Sequence, residues 1–154
     1  MVSKYEKYIM REPNAKWGDV EPQPDGEKRR SIRINSNLIS AIGVDMAFMG
    51  VTPEQFKAMQ AAPSRLGHPS HVHDCDEYLL FMGADPTNLL DYGAEVELSL
   101  GAGKDQEKHI INTTTIVYIP KGLVHLPMVY KKVDKPVLFG HLLMAPDYSE
   151  TRLQ

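Results

Sequence analysis

Three ionisable side chains, His71, His73 and Glu77, lie close together in one stretch of the sequence. Alternate side chains of an extended strand share a face, so His71 and His73 point the same way, roughly 7 Å apart. At this spacing two imidazoles can reach one metal ion, and a break in the strand after His73 lets Glu77 approach as a third ligand. Two neutral imidazoles and one carboxylate leave coordination positions open for a substrate.

A second pattern with the same chemistry follows farther along the chain, at Pro120-Lys121-Gly122-Leu123-Val124-His125. Pro120 ends a strand, Gly122 permits a tight turn, and His125 begins the next strand. If that strand faces the first across a barrel, His125 adds a third imidazole to the site.

Neighbouring side chains offer alternatives. Asp76 is the alternative carboxylate ligand if the strand breaks elsewhere, whereas Asp74 is expected to be solvated or to cap the bend. Cys75 is expected to be a small buried residue, and His68, which precedes a proline, is expected to lie in a loop.

The elements that must position these residues are short. Alternating apolar residues between Arg29 and Phe48 predict the first two strands. Thr52-Pro53-Glu54-Gln55 predicts the start of a helix of about ten residues, with Thr52 as N-cap and Gln55 completing a capping box. The apolar side of that helix is Phe56 with Met59, and Pro63 ends it.

The second half of the chain predicts further strands. AEVELSL (94–100) alternates apolar with polar residues, and GAGKDQ after it is typical of a hairpin turn. The segments EKHII, TTIVYI, VHLPMVY and PVLFGHLLM continue as short strands between polar or Pro/Gly breaks. Short strands at this spacing predict a sandwich or a barrel.

Taken together, these residues resemble the two motifs of the cupin superfamily, G-x5-H-x-H-x3,4-E-x6-G and G-x5-P-x-G-x2-H-x3-N. His71, His73 and Glu77 match the ligand positions of the first motif, and residues 120–125 match P-x-G-x2-H of the second. Glycines and an asparagine that shape turns in the family are displaced or replaced, at Gly67, Gly83, Thr114 and Val129.

The resemblance implies an all-β fold, a double-stranded β-helix or jelly-roll barrel, here with an N-terminal arm and one short helix. It also implies one divalent metal ion per chain, Fe, Mn, Ni or Zn, in the mouth of the barrel. The implied metal ligands are His71, His73, Glu77 and His125.

Composition limits the partners. The 154 residues are 42% hydrophobic and 24% charged, which predicts one barrel domain (29–154) preceded by an arm (1–28) that Trp17 anchors. A formal charge of −3 gives no basic surface for nucleic acid or an anionic membrane. Cys75 is the only cysteine, which is typical of a reducing compartment, and no segment approaches the ~20 apolar residues that span a bilayer. We therefore expect a cytoplasmic protein with a small-molecule partner.

Side chains beyond the ligands suggest roles in the pocket. Leu79 and Phe81 lie on the same strand face as Glu77, and Phe139 and His141 lie on one face of a late strand. We expect the side chains on these two faces, other than Glu77, to line an apolar pocket. The candidates for a catalytic acid or base are Glu97, His141 and Tyr118.

Two functions remain open from the sequence. The first is a mononuclear metal-dependent enzyme acting on a small oxygenated metabolite, as a dioxygenase or as an isomerase, lyase or decarboxylase. The second is a non-catalytic cupin that binds or senses a small molecule around a structural metal. Leu80 and Met82 form a second apolar face on the strand of Leu79 and Phe81, which a single small barrel cannot bury. We therefore expect a homodimer.

Overall fold

The computed structural model describes Ile9 and residues 31–61 and 69–153. Apart from Ile9, the predicted arm with Trp17 lies outside these residues, and so do Pro63, Gly67 and His68. The strands found within the described ranges are β1 (Ser31–Ile34), β2 (Asp45–Val51), β3 (His71–Val72), β4 (Glu77–Gly83), β5 (Ala94–Leu100), β6 (Glu107–Ile111), β7 (Thr115–Ile119), β8 (His125–Val133), β9 (Val137–Leu143) and β10 (Thr151–Arg152).

These strands form two antiparallel sheets of five strands each. Sheet A has the order β1-β2-β9-β4-β7, and sheet B has the order β10-β3-β8-β5-β6. From β2 onward the chain passes from one sheet to the other at every connection except the β5–β6 hairpin. This is the jelly-roll arrangement, and the predicted all-β barrel is confirmed.

An α-helix, α1 (Pro53–Gln60), lies between β2 and β3. The predicted capping box is present: the Gln55 amide donates to Thr52 Oγ1 at 3.3 Å, and the Thr52 amide donates to Gln55 Oε1 at 2.8 Å. Phe56 is buried against the barrel, with Met59 half-buried. A 3₁₀ turn, Gly103–Asp105, occupies the predicted hairpin between β5 and β6.

The core lies between the two sheets. Alternate residues of each strand point into it, so Leu79 and Phe81 of β4 face Val96 and Leu98 of β5, and all four side chains are buried. The rings of Phe81 and Phe139 lie 5.3 Å apart between centroids. The side chains expected to line the pocket, including His141, therefore do lie in the barrel interior.

The outer faces of the two sheets differ in chemistry. On sheet B, Glu97 forms ion pairs with Lys108 at 2.9 Å and with Lys131 at 3.3 Å. Among the described strands of sheet A, the outward positions carry no charged residue, because Arg33, Asp45 and Glu77 lie on the inward face of their strands. The outward side chains of sheet A form what we call the apolar outer face: Ile32, Ile34, Met46, Phe48, Tyr78, Leu80, Met82, Ile116, Tyr118, Leu138 and Leu142.

None of the helices in the described ranges has the length and apolar character needed to cross a bilayer.

The apolar outer face leads to a prediction about assembly. Its edge strand, β7, leaves Ile116 68% and Tyr118 50% exposed, and the five residues of that strand include no charged one. Because an apolar edge strand is a template for pairing with another chain, we predict a homodimer in which this face meets its own copy across a two-fold axis.

Substitution of Ile116 with glutamate should weaken that dimer at least about tenfold, since a buried charge in the interface costs more than ~1.4 kcal/mol. Sedimentation equilibrium measures the change. Ile110→Glu is the matched control, because Ile110 is 52% exposed on the edge strand β6 of sheet B. A wild-type chain that sediments as a 17.3 kDa monomer at micromolar concentration would contradict the prediction.

Candidate metal centre

The strand pairing brings the two histidine patterns together. β3 and β8 are neighbours in sheet B, and His71 is the direct cross-strand partner of His125. After β3 the chain crosses to sheet A, where Glu77 begins β4. His73 lies on this crossing, so the imidazoles approach from sheet B and the carboxylate approaches from sheet A. This is how residues far apart in sequence come to one place.

The predicted turn before His125 holds the two patterns to each other. Gly122 has a φ of +80°, which glycine adopts without steric cost, and the Leu123 amide donates to Pro120 O at 3.0 Å. The Gly122 amide donates to the carbonyl of His73 at 3.0 Å. The position of His125 is therefore tied to the backbone of the first pattern.

Four buried side chains converge at this end of the barrel. His71, His73, Glu77 and His125 are each no more than 3% exposed. The Nε2 atoms of His71 and His73 lie 3.2 Å apart. The Glu77 Oε2 atom lies 3.0 Å from His125 Nε2 and 3.5 Å from His73 Nε2. We call these four residues the ligand cluster.

Backbone carbonyls determine which ring nitrogen of each histidine carries its proton. The Nδ1 atoms of His71 and His125 face the carbonyls of Pro69 at 2.9 Å and Leu123 at 3.0 Å. The Nδ1 of His73 faces the carbonyl of Ser149. Because a carbonyl oxygen only accepts, each Nδ1 must be the N–H of the neutral ring. All three Nε2 atoms then present lone pairs to the centre of the ligand cluster.

The positions of those lone pairs suit coordination of a metal ion and not hydrogen bonding between the histidines. Two unprotonated nitrogens 3.2 Å apart cannot form a hydrogen bond. Glu77 Oε2 and His125 Nε2 are buried without an aligned hydrogen bond. Ligand bonds of about 2.1 Å would separate neighbouring ligand atoms by about 3.0 Å in octahedral and about 3.4 Å in tetrahedral coordination. The observed spacings of 3.0, 3.2 and 3.5 Å lie within about 0.1 Å of that range, so the residues present fit a divalent cation.

The electrostatics of the ligand cluster favour a charged carboxylate. Burial alone would raise the pKa of Glu77, but the neighbouring His125 and His73 outweigh burial and lower it. Burial lowers the pKa of His71. For His125, burial would lower the pKa, yet the Glu77 carboxylate and the Leu123 carbonyl raise it overall. The Glu77 carboxylate is therefore ionised, as a cation requires, whereas the raised pKa of His125 means that a proton competes with a cation for its lone pair.

The alternative ligands do not enter the ligand cluster. Asp76 Oδ1 accepts a hydrogen bond from the Lys121 amide at 2.9 Å, and Asp74 forms an exposed ion pair with the Lys121 side chain. Cys75 is half-buried, and burial raises the pKa of its thiol, so the thiolate is disfavoured.

Two of the three candidate catalytic residues are not brought to the ligand cluster. Glu97 lies on the outer face of sheet B in its ion pairs with lysines, and Tyr118 is half-exposed on the apolar outer face, where its ring packs on Tyr78. The physical reason is that successive side chains of a strand point to opposite faces of its sheet. In both strands the residues next to Glu97 and Tyr118 point inward, so these two side chains point outward. His141 does point inward and is 8% exposed.

Three residues beside the ligand cluster were not predicted from the sequence. Asp45 lies at the start of β2 with its side chain fully buried, and Tyr148 and Glu150 lie in the segment after β9. The Tyr148 ring packs against His73 and His141, with centroid distances of 5.3 and 5.8 Å. An acidic residue opening an otherwise apolar strand, as Asp45 does, was the one signal available in the sequence.

Asp45 is the centre of a buried network. Its carboxylate accepts from Arg33 Nη2 at 2.6 Å, Asn35 Nδ2 at 3.3 Å, His141 Nε2 at 3.3 Å and the Tyr148 amide at 3.0 Å. Burial alone would raise the pKa of Asp45, but the hydrogen bonds from His141 and Arg33 and the Arg33 charge lower it to about 2. Asp45 therefore joins β1, β2, β9 and the C-terminal segment.

Comparisons with known proteins agree with this fold. No family model matches the sequence, and a search of curated proteins finds no match. An oxalate oxidase in complex with a substrate analogue, glycolate, is 12% identical with a TM-score of 0.50, over 90% of this chain and 63% of that one. The formate complex of Lactobacillus farciminis oxalate decarboxylase is 15% identical with a TM-score of 0.50, over 80% of this chain and 30% of that one.

A variant of Bacillus subtilis oxalate decarboxylase is 15% identical with a TM-score of 0.51, over 98% of this chain and 37% of that one. This chain thus spans less than two thirds of the length of each protein. At such identities the likeness shows the fold alone, and it confirms the cupin-type barrel that the sequence motifs implied.

The first prediction from the ligand cluster concerns His125. Replacing it with alanine should weaken binding of a divalent metal as much as His73→Ala does, by more than about 100-fold, because even supporting residues of metal sites are worth 10–100-fold. Metal content after dialysis against a weak chelator measures the effect. His109→Ala is the control, since the His109 side chain is 45% exposed on β6. Full metal content in His125→Ala with loss in His73→Ala would contradict the four-residue site.

The second prediction concerns Asp45. Asp45→Asn should destabilise the fold at neutral pH by about 3 kcal/mol, because it removes the negative charge from a largely buried ion pair with Arg33, whose side chain is 13% exposed. The pKa of Asp45 falls from 3.8 to about 2 on folding, so its stabilisation is present above pH 3.8 and is lost as the pH falls through about 2. The stability difference between wild type and Asp45→Asn should narrow over that interval.

Urea unfolding followed by circular dichroism at several pH values tests this. Asp134→Asn serves as control, because Asp134 is 54% exposed in a surface ion pair with Lys132, and it should change stability by less than about 0.5 kcal/mol. A difference for Asp45→Asn that stays constant between pH 7 and pH 2 would show that its charge is not the stabilising feature.

Proposed function

We propose that this chain is a mononuclear metal-dependent enzyme of the cupin type that acts on a small oxygenated metabolite. The observation that supports the proposal is the convergence of three Nε2 lone pairs and one carboxylate in the buried end of the barrel. Such a convergence is costly in a low-dielectric interior unless a cation occupies it. A protein that only needed a stable barrel would gain more from apolar side chains there.

We propose one divalent ion per chain, held by His71, His73, His125 and Glu77. Imidazole nitrogens and a carboxylate oxygen suit Fe(II), Mn(II), Ni(II) and Zn(II), and availability decides among them. These four side chains would hold the ion and would leave room for a substrate to bind it. When bound, the ion would supply Lewis-acid polarisation of a carbonyl or carboxylate, or activation of dioxygen.

The residues behind the ligand cluster would shape the substrate site. Leu79, Phe81 and Phe139 form a buried apolar interior next to Glu77. Charges act strongly in such an environment, so a substrate with one chelating oxygenated end would be held by that end. The similar solved structures are complexes or variants of enzymes named for oxalate, and small carboxylic acids are therefore a sensible first class to test.

His141 is the side chain that we propose to hold or move a proton. It points inward from β9, and its Nε2–H donates to the ionised Asp45 carboxylate. Asp45 thereby fixes the ring orientation, as a carboxylate does for a catalytic histidine. Glu97 and Tyr118, on the outer faces, are not proposed for this role. The single cysteine supports a reducing compartment, so we propose the cytoplasm as the site of action.

The decisive experiment combines metal analysis with a reaction screen. Protein purified without added metal is assayed for Fe, Mn, Ni and Zn, then incubated with small 2-oxo, 2-hydroxy and dicarboxylic acids while oxygen uptake and product formation are recorded. We expect turnover that disappears in His125→Ala and persists in His109→Ala. If metal is bound and the acids bind by calorimetry without any turnover, the enzyme proposal is wrong and a binding or sensing function replaces it.

A further prediction separates chemistry from metal binding. His141→Gln should lower kcat by about 100-fold or more, because positioned proton transfer contributes about 10²–10⁴-fold, while metal content stays at the wild-type level. Steady-state kinetics with parallel metal analysis measures both. An unchanged kcat would remove His141 from the reaction, and a loss of metal would assign it a structural role instead.

A further inference from the structure

We propose that the C-terminal segment, residues 146–152, is a built-in part of the metal centre, so that docking of this segment and binding of the metal strengthen each other. The inference rests on the proposed function in that it takes the ligand cluster to bind a divalent ion. It adds positioning residues that lie in neither sequence motif. Three groups of contacts made by the segment support the inference.

The first contact fixes a ligand tautomer. The carbonyl of Ser149 accepts from His73 Nδ1, and the Tyr148 ring packs edge-on against the same imidazole. His71 and His125 make the equivalent hydrogen bond to residues two positions away, Pro69 and Leu123. For His73 the acceptor comes from the far end of the chain. Undocking of the segment would therefore release the tautomer and the ring orientation of one ligand.

The second contact places a negative charge beside another ligand. Glu150 Oε2 lies 3.6 Å from His71 Nδ1. Both oxygens of Glu150 are held in place, Oε2 by the Tyr148 hydroxyl and Oε1 by Arg152 Nε, each at 2.5 Å. A carboxylate beside the N–H of a metal-bound imidazole makes that ligand a better donor, and such supporting residues are worth 10–100-fold in metal affinity.

The third set of contacts anchors the segment to both sheets. Ser36 donates through its amide to Pro146 O at 2.9 Å, and its hydroxyl donates to Asp147. The Tyr148 amide donates to Asp45, and Arg152 pairs with His71 in β10–β3. The segment thus crosses the end of the barrel from β9 of sheet A to β3 of sheet B, over the ligand cluster.

These contacts make the coupling reciprocal. Asp147 and Ser149 are exposed, and most of the anchoring contacts are polar, so the segment has a low intrinsic resistance to local opening. Binding of a cation to the ligand cluster stabilises the ring orientations that the docked segment supports. By linkage, docking of the segment increases the metal affinity by the same factor by which bound metal increases the equilibrium constant for docking.

Metal affinity of matched variants tests one direction of the coupling. Mn²⁺ or Zn²⁺ alone is titrated into apoprotein against a competing chelator. Glu150→Gln should weaken binding about tenfold, and Tyr148→Phe should weaken it less, since the ring on His73 remains while the hydroxyl bond to Glu150 is lost. Glu107→Gln is the matched control, because Glu107 is an exposed carboxylate 3.4 Å from His109 on β6, outside the ligand cluster. It should bind metal as wild type does.

Hydrogen exchange of the wild-type protein tests the other direction and does not depend on any variant folding. Addition of the metal ion should slow exchange of the amides in residues 144–153 by about tenfold or more, because the Glu150 contact is only one part of the coupling between docking and metal binding. Amides in β5 and β6 should change less. In Glu150→Gln the protection gained by residues 144–153 should shrink.

The two proposals fail in different ways. A wild-type chain that binds neither ion overturns the proposed metal-dependent function, and this inference falls with it. A wild-type chain that binds the ion, with unchanged affinity in Glu150→Gln and unchanged exchange in residues 144–153, overturns this inference alone and leaves the metal centre in place.

Discussion

The structure depends on one electrostatic constraint, the gathering of three imidazole lone pairs and a carboxylate at a buried point. Each lone pair is directed there because a backbone carbonyl takes the opposite N–H, from Pro69, Leu123 and Ser149. In a water-excluded interior such a set of acceptors is unfavourable by itself and favourable around a cation. The barrel must therefore hold these four side chains rigidly against their mutual repulsion. The jelly roll does so by supplying them from two sheets.

The connections between the sheets explain why this fold suits the task. A chain that crosses at nearly every loop places residues close in sequence, such as His71 and Glu77, on opposite sheets, where their side chains face each other. Residues far apart in sequence, such as His71 and His125, become cross-strand partners. A backbone hydrogen bond from the Gly122 amide to the His73 carbonyl then helps to set the distance between the two patterns. Local backbone contacts thus position His71 and His125, and the docked C-terminal segment positions His73, which would lower the ordering cost of binding an ion.

The parts of this arrangement that local sequence determines could be predicted, and the parts set by long-range pairing could not. Thr52 and Gln55 form their capping box with each other, so the helix start is readable from four residues. The spacing of His71, His73 and Glu77 resembles a known motif for the same local reason. Tyr118 could not be placed, because Ile116 and Tyr118 on one face of β7 are as apolar as Val117 and Ile119 on the other. Glu150 could not be found, because its role follows from pairing β10 with β3.

The presence of apolar residues on both faces of a strand also gives a reason for the buried network around Asp45. When both faces of a strand are apolar, hydrophobic burial does not distinguish the correct register from a slip of one residue, which would turn every side chain to the opposite face. In sheet A such a slip would place Asp45, Glu77 or His141 outside and Phe48, Leu80 or Leu142 inside at little hydrophobic cost. The paired contacts of Asp45 with Arg33 on β1 and His141 on β9 exist only in the observed register. Besides contributing to stability, the polar network in this way selects one arrangement, and the arrangement it selects is the one that points the Glu77 carboxylate at the three imidazoles.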